Sequence, residues 1–375
     1  MLALIATVAL AGPLLALPRA WHQPVVLGEL AGGVVLGPTA LGVLHAQEPT
    51  FSVLADIGFA LVMFVAGSHV PVRDARLRAA LPVGLLRAVG VGVVAAGLGV
   101  GLAHLFGTGH AALYGVLLAS SSAALVLPIV DSLSLTGEPV LQLVPQVAIA
   151  DAACVVALPL AVDPRHAGRA AVGAVAVLAA AAVLFVVLRW LERSGVRRRV
   201  HRVSQARKFA LELRINLVIL FALAALATRT HVSILLAGFS FGLVVAAVGE
   251  PRRLARQLFA VTEGFFGPLF FVWLGASLNF RELGRHPWLI GLGVALGGGA
   301  VLAHASMRLA GQPLAIAGLA GAQLGVPVAA ATIGAQAGLL RPGEPAALLL
   351  GAVVTILVAV LCGGIRASRP AEVPS

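Results

Sequence analysis

The sequence is poor in charged, aromatic and sulfur-containing residues. Of 375 residues, 11% are charged and 5% are aromatic, and there are two cysteines, one tyrosine and a single lysine, Lys208. Cys154 and Cys362 fall in separate apolar segments, so a structural disulfide or a thiolate metal site has little support. The lack of RNP-like and Gly-Lys-Ser/Thr motifs removes the usual signals of nucleic-acid binding and ATP hydrolysis.

The motifs of other enzymes are missing too. No Ser-x-x-Lys element indicates acyl chemistry, and no His, Cys and acid residues have metal-ligand spacing. We therefore expect neither an enzyme nor a bound cofactor.

Apolar residues dominate the chain. They make up 60% of it, and the mean hydropathy is +1.02, which is more apolar surface than a soluble protein of this size can bury. The composition predicts an all-α polytopic membrane protein of about 13 transmembrane helices. The apolar segments are 2–17, 24–44, 51–70, 80–106, 110–130, 139–161, 167–190, 209–228, 232–249, 260–278, 287–309, 313–338 and 345–366. The first is interpreted as a retained span, with a removed signal peptide as the alternative.

The basic residues lie mainly in the loops of one side. Most of the 26 Lys and Arg residues fall in loops that the thirteen segments place together, above all in the run from Arg189 to Lys208. The positive-inside rule then predicts an N-terminus outside and a C-terminus in the cytoplasm, in the plasma (inner) membrane. It accounts for the net charge of +11 without a nucleic-acid partner.

One carboxylate, Asp151, lies near the middle of an apolar segment. Its depth is about 18 Å from Pro139 in a span of roughly 35 Å, where a charge is costly unless it faces a wet cavity or a partner. A desolvated carboxyl group holds its proton near neutral pH, and a monovalent cation bound by hydroxyl and carbonyl oxygens can displace that proton. Asp151 is therefore the predicted shared proton and cation site. A structural aspartate that caps a backbone break is the alternative.

Two segments contain residues that interrupt helices. The fifth carries Ser120 and its two neighbouring serines, and the twelfth carries Gly325 and Pro327. The two segments hold corresponding positions in two halves of the chain, which predicts an inverted repeat with two crossed discontinuous helices around a binding site. Ordinary helix packing is the alternative for either break.

Further residues are candidates for lining the site. Ser121 and Ser122 are expected to donate oxygens or to cap the break, although packing of serine in a helix interface is an equal alternative. Gln146 and Gln323 are weighed as lining groups, with Ala150 beside Asp151. Other polar residues are interpreted as boundary or packing groups: Glu29, Asp56, His69, His104, Glu263 and His304.

Several stretches resemble motifs of the monovalent cation:proton antiporters. The branch is the one with bacterial sodium/proton and Kef-type potassium/proton exchangers. Gly28–Gly42 is similar to the second-span motif of that family, Leu54–Gly67 to the third and Phe265–Leu278 to the tenth. Val147–Val156 falls where the family carries its acidic pair.

The chain departs from the family pattern at the site. The acidic pair reads Ala150-Asp151, so only the second carboxylate matches. The broken fifth span has Ser-Ser-Ala where Ser/Thr-Pro-Thr is frequent. The lysine that many electrogenic members have in span eleven is absent, and His304 is the nearest ionisable group.

The resemblance implies a division into domains. Dimer-domain helices would lie at 1–79 and 209–280, and core-domain helices at 80–162 and 281–366. A linker helix and basic loop would occupy 163–208, and a cytoplasmic tail 367–375. It further implies a homodimer in the lipid bilayer that works by movement of the core.

The resulting hypothesis is a secondary transporter that exchanges sodium or potassium for protons. With one carboxylate and no lysine in span eleven, we expect electroneutral exchange. The alternatives are a sodium-coupled symporter on a similar fold, and a membrane protein that no longer transports and acts as a sensor or structural partner.

Overall fold

The computed structural model describes residues 25–68, 75–133, 135–163, 167–195, 211–230, 234–249, 252–277 and 280–367, with six isolated positions besides. All regular structure in these ranges is helical. The helices are α1 Val25–Leu36, α2 Pro49–Ser68, α3 Ala75–Leu105, α4 Ala111–Ala119, α5 Ala123–Ser132, α6 Glu138–Val162, α7 Ala167–Arg193, α8 Leu211–Arg229, α9 Ile234–Val248, α10 Arg252–Val261, α11 Gly267–Ser277, α12 Phe280–Arg285, α13 Pro287–Ala305, α14 Leu314–Ala320, α15 Gly325–Gln336 and α16 Glu344–Ala367. A π-turn, Thr262–Phe266, joins α10 to α11, and a 3₁₀ turn, Ser306–Ala310, follows α13.

The predicted all-α class is confirmed. Every predicted apolar segment from 24–44 onward contains a described helix, and nine helical stretches in the described ranges are long and apolar enough to cross a membrane. Most of the first segment, 2–17, lies outside the described residues. So do His69, the end of the basic run at Lys208 and nearly all of the tail 367–375.

The helices pack in two sets. In the first set, α1 packs against α11, and α2 packs against α9 and α11. In the second set, α3 packs against α4, α6 and α13, while α16 packs against α13, α14 and α15. Helices α7 and α8 pack on α9, and contacts of α2 with α5 and of α6 with α9 join the sets. Each interrupted helix, α4–α5 and α14–α15, therefore lies within the second set.

Glycines allow the closest helix contacts of the first set. A Cβ on Gly33 would lie 2.9 Å from the Cα of Gly275, and one on Gly275 would meet the carbonyl oxygen of Leu30. Helices in lipid associate through such close packing of small residues, because no hydrophobic effect drives them together there. The contact of α1 with α11 therefore depends on the missing side chains.

A buried glutamate ties the first interrupted helix to α16 at one end. The Oε1 atom of Glu344, at the start of α16, lies 2.7 Å from His110 Nδ1 and accepts a hydrogen bond of 2.7 Å from the Tyr114 hydroxyl. Its Oε2 accepts the backbone N–H of Arg341 at 3.0 Å. The start of α4 is thus fixed to the start of α16.

The close contact of α1 with α11 predicts the effect of one added methyl group. Gly275→Ala should destabilise the protein by about 1–3 kcal/mol, because the new Cβ overlaps the backbone of α1. Unfolding of the purified protein in detergent measures the change. Gly97→Ala is the control, since a Cβ on Gly97 meets nothing within 4 Å. Equal stability of the two variants would contradict the packing argument.

Candidate functional site

The two helix interruptions are short and buried. Between α4 and α5, residues 120–122 are not helical, and all three serines there are almost fully buried. The second interruption covers residues 321–324, between α14 and α15. It lies just before the predicted position, because Gly325 begins α15 and Pro327 stands in its first turn. Proline fits there, since the first N–H groups of a helix need no partner within it.

Each interruption supplies hydrogen-bond donors to the other. The Ser121 hydroxyl donates to the carbonyl oxygen of Ala320, the last residue of α14, at 2.5 Å. The Gln323 amide donates to the carbonyl oxygens of Leu117 at 2.6 Å and Ser120 at 3.1 Å. These carbonyls lie where a half-helix ends and lack the usual donor four residues further on, although that of Leu117 also accepts from the Ser120 N–H at 3.1 Å. The two interrupted helices therefore satisfy one another's free backbone groups.

Asp151 caps the second half of the first interrupted helix. Asp151 lies on α6, and its side chain is buried. Its Oδ2 accepts the backbone N–H of Ala123, the first residue of α5, at 3.0 Å. The N-terminus of a helix carries partial positive charge, which favours a carboxylate at this position. The predicted site residue thus faces the predicted break.

Thr355 occupies the comparable place at the second interruption. Its hydroxyl oxygen accepts the backbone N–H of Gln323 at 3.1 Å and donates to the carbonyl oxygen of Ala352 at 2.7 Å. Thr355 lies on α16, which follows the second interrupted helix as α6 follows the first. A lone hydroxyl in an otherwise apolar segment was the only sequence signal for it. The two caps therefore differ in charge, and only Asp151 can ionise.

His304 is a second group that the sequence interpretation left outside the site. It is buried on α13, where its Nδ1 donates to the carbonyl oxygen of Ala300 at 3.0 Å. Its Nε2 lies 3.3 Å from the Ser121 hydroxyl oxygen. His304 thus contacts the side chain that links the two interruptions.

The remaining predicted residues take different places. Gln146 is engaged with Gln312, whose amide donates to the Gln146 carbonyl oxygen at 2.8 Å, and not with Asp151 or the serines. Ser120 donates to the Leu117 carbonyl at 2.8 Å. Within the described part of the chain the Ser122 hydroxyl has no hydrogen-bond partner. Ala150 is buried and offers only a methyl group.

A cavity of about 590 Å³ approaches this region between the two sets of helices. Its walls include Asp56 on α2, Pro159 near the end of α6, Arg169 on α7 and Thr332 on α15. Asp151 does not line it, and Pro159 stands about 12 Å further along α6.

Comparisons with known proteins identify the family of this chain. Residues 3–369 match the model of the family described as "Sodium/hydrogen exchanger, transmembrane". The chain belongs to the sodium/hydrogen exchanger family. This is a family of transporters, so the predicted resemblance and the prediction of a multi-pass membrane protein are both confirmed.

Individual exchangers are similar over most of their length. The probable Na⁺/H⁺ antiporter GerT of Bacillus cereus is 24% identical over 272 residues, which cover 72% of this chain and 71% of GerT. The Na⁺/H⁺-K⁺ antiporter GerN of Bacillus cereus is 26% identical over 276 residues, or 72% of this chain and 69% of GerN.

A solved structure of the family has the same fold. The sodium proton antiporter MjNhaP1 from Methanocaldococcus jannaschii superposes with a TM-score of 0.65 at 15% sequence identity. The match covers 97% of this chain and 96% of that one.

Loss of the link between the interruptions should weaken the fold. Gln323→Leu removes the Gln323 donor from the carbonyl of Ser120 and one of the donors from that of Leu117, which still accepts from Ser120. The free energy of unfolding in detergent should therefore fall by about 1–3 kcal/mol. Gln142→Leu is the control, because that amide bonds only to Glu138 at an exposed position. A Gln323→Leu protein as stable as the control would mean that other groups satisfy these carbonyls.

Proposed function

We propose that this exchanger moves a monovalent cation, sodium or potassium, in exchange for protons, with Asp151 as the shared binding site. The observation that carries the proposal is the position of Asp151: a buried carboxylate at the start of α5, beside two interruptions that satisfy each other's backbone groups. The names of GerT and GerN support exchange of these ions, and the potassium in the name of GerN supports keeping both cations open.

Exchange follows from competition at one carboxylate oxygen. Oδ2 of Asp151 is held by the Ala123 N–H, and Oδ1 makes no hydrogen bond within the described part of the protein. Oδ1 can hold either a proton or a cation. Whichever of them is bound must leave before the other can bind. The hydroxyl of Ser122 and carbonyl groups of the interruption are the proposed additional oxygens for a dehydrated cation. The Ser121 hydroxyl is already engaged with Ala320 and serves mainly as a structural link.

We extend the proposal to the membrane topology. The order helix, interrupted helix, helix occurs twice, in α3 to α6 and in α13 to α16. This order supports an inverted repeat of crossed discontinuous helices. The loop charges support thirteen spans with the N-terminus outside and the C-terminus in the cytoplasm of a plasma membrane.

The two packing sets support two mobile bodies. The second set is the proposed core, 80–162 and 281–366, and the first is the proposed dimer domain, 1–79 and 209–280, with 163–208 as the linker. The cavity between them lies beside Arg169, on the side that the charge bias assigns to the outside. In this proposal it is the outer vestibule, and movement of the core past the dimer domain of a homodimer gives alternating access.

Replacement of the carboxylate should abolish exchange without loss of the fold. In everted vesicles with an acidified lumen, sodium, potassium or lithium should restore dye fluorescence for the wild type and not for Asp151→Asn. Asparagine retains an oxygen that can accept the Ala123 N–H, so its expression and stability should stay close to the wild type.

The control is Glu138→Gln, which removes a carboxylate from an exposed position on the same helix. It should exchange at the wild-type rate. A fluorescence response that persists in Asp151→Asn would move the site to another residue. A folded wild type that responds to none of the three cations would favour a protein that no longer transports.

The presence of one carboxylate predicts a one-for-one, electroneutral cycle. In potassium-free proteoliposomes, a membrane potential imposed with a gradient of the permeant anion thiocyanate should leave the rate of sodium-driven proton movement unchanged. The comparison is made at equal sodium and proton gradients, with and without the potential. A rate that changes with the sign of the potential would require a second charged group in the transport cycle.

A further inference from the structure

A second cavity lies in the first set of helices, away from Asp151. Its volume is about 400 Å³, and it is bounded by α1, the π-turn Thr262–Phe266 and the start of α11. Two carboxylates reach it, Glu29 from α1 and Glu263 from the π-turn. The remaining described wall is mostly apolar: Leu10, Pro13, Val25, Val26, Phe265, Pro268 and Leu269, with Gly264.

Glu29 is buried without a counter-charge. Only 4% of its surface is exposed, and among the described residues it has no hydrogen bond or ion pair. The carboxylate of Glu263 acts on Glu29 electrostatically and repels it. Burial of a charge is costly unless that charge is paired. A positively charged occupant of the cavity would offset both the burial of Glu29 and its repulsion by Glu263.

The π-turn explains how Glu263 comes to face the cavity. A π-turn inserts an extra residue into the helical repeat and rotates the side chains before it relative to those after it. Here Thr262 is buried towards the protein interior, whereas Glu263 is exposed and lies at the cavity. The cavity therefore has an opening where a ligand meets Glu263 before it reaches Glu29.

The lining decides which kind of cation fits. A dehydrated alkali-metal ion needs a shell of oxygens, and apart from the two carboxylates the side chains of the described wall are apolar. An organic cation suits this wall better, because its N–H groups can bond to the carboxylates while its apolar body lies on Val25, Phe265 and Leu269. The volume is also within the range of small-molecule sites, about 300–1,000 Å³.

We propose that Glu29 and Glu263 form a binding site for a small organic cation, an amine or amidine with an apolar body. The site lies in the first set of helices and is distinct from the proposed exchange site. Glu29 binds the charged group of the ligand at the closed end of the cavity, and Glu263 binds it at the opening of the cavity. The proposal does not depend on exchange at Asp151.

The test is calorimetric titration of the purified full-length protein in detergent with benzylamine, which is protonated at neutral pH, and with benzyl alcohol, its neutral counterpart. The wild type and Asp151→Asn should bind benzylamine with equal affinity and should bind benzyl alcohol far more weakly. Glu29→Gln should weaken benzylamine binding about tenfold or more, because it removes a buried charge partner. Glu263→Gln, at an exposed position, should weaken it in the same direction, and Glu138→Gln should not.

Any one of the following results would overturn the proposal. They are no binding of benzylamine to the wild type, unchanged affinity in the folded Glu263→Gln variant, equal binding of benzyl alcohol, and displacement of benzylamine from Asp151→Asn by an equal concentration of sodium. The last would indicate an inorganic cation site. Binding that is lost in Asp151→Asn but kept in Glu29→Gln would also overturn it, because the amine would then occupy the exchange site. None of these results bears on whether the wild type exchanges ions.

Discussion

Interrupted helices in a membrane leave carbonyl and N–H groups that lipid cannot satisfy, and the rest of this structure depends on how those groups are paired. Ser121 at one interruption donates to Ala320 at the other, and Gln323 donates back to Leu117 and Ser120. Neither interruption is satisfied alone. The two interrupted helices must therefore stay together as one unit, and the buried link of Glu344 to Tyr114 fixes the first of them to α16.

The same constraint places the one ionisable cap. Asp151 and Thr355 lie on the helices that follow the two interrupted ones. Asp151 accepts the N–H of Ala123, which begins α5, and Thr355 accepts the N–H of Gln323, two residues before α15. Threonine fulfils the structural requirement as well as aspartate does. In our proposal, the carboxylate that stands at only one of the two positions has a role beyond the fold, because a proton or a cation can neutralise its charge.

Much of this arrangement could be predicted from the chain, and the rest rests on contacts between distant segments. A single carboxylate in an apolar segment and three consecutive serines are local signals, so Asp151 and the first interruption were predictable. The second interruption was placed slightly late, because proline tolerates the first turn of a helix as well as a break. The pairing of Gln146 with Gln312 joins residues 166 positions apart, and no local pattern indicates it. Glu29 and Glu263 read as boundary groups until the π-turn brings them to one cavity.

The central claim is that one oxygen of Asp151 holds either a proton or a cation. The most direct measurement is proton release on cation binding, recorded with a pH indicator in a weakly buffered solution of the purified protein. The account predicts that sodium or potassium releases one proton per site from the wild type and none from Asp151→Asn. Saturable cation binding at Asp151 without release of a proton would contradict it.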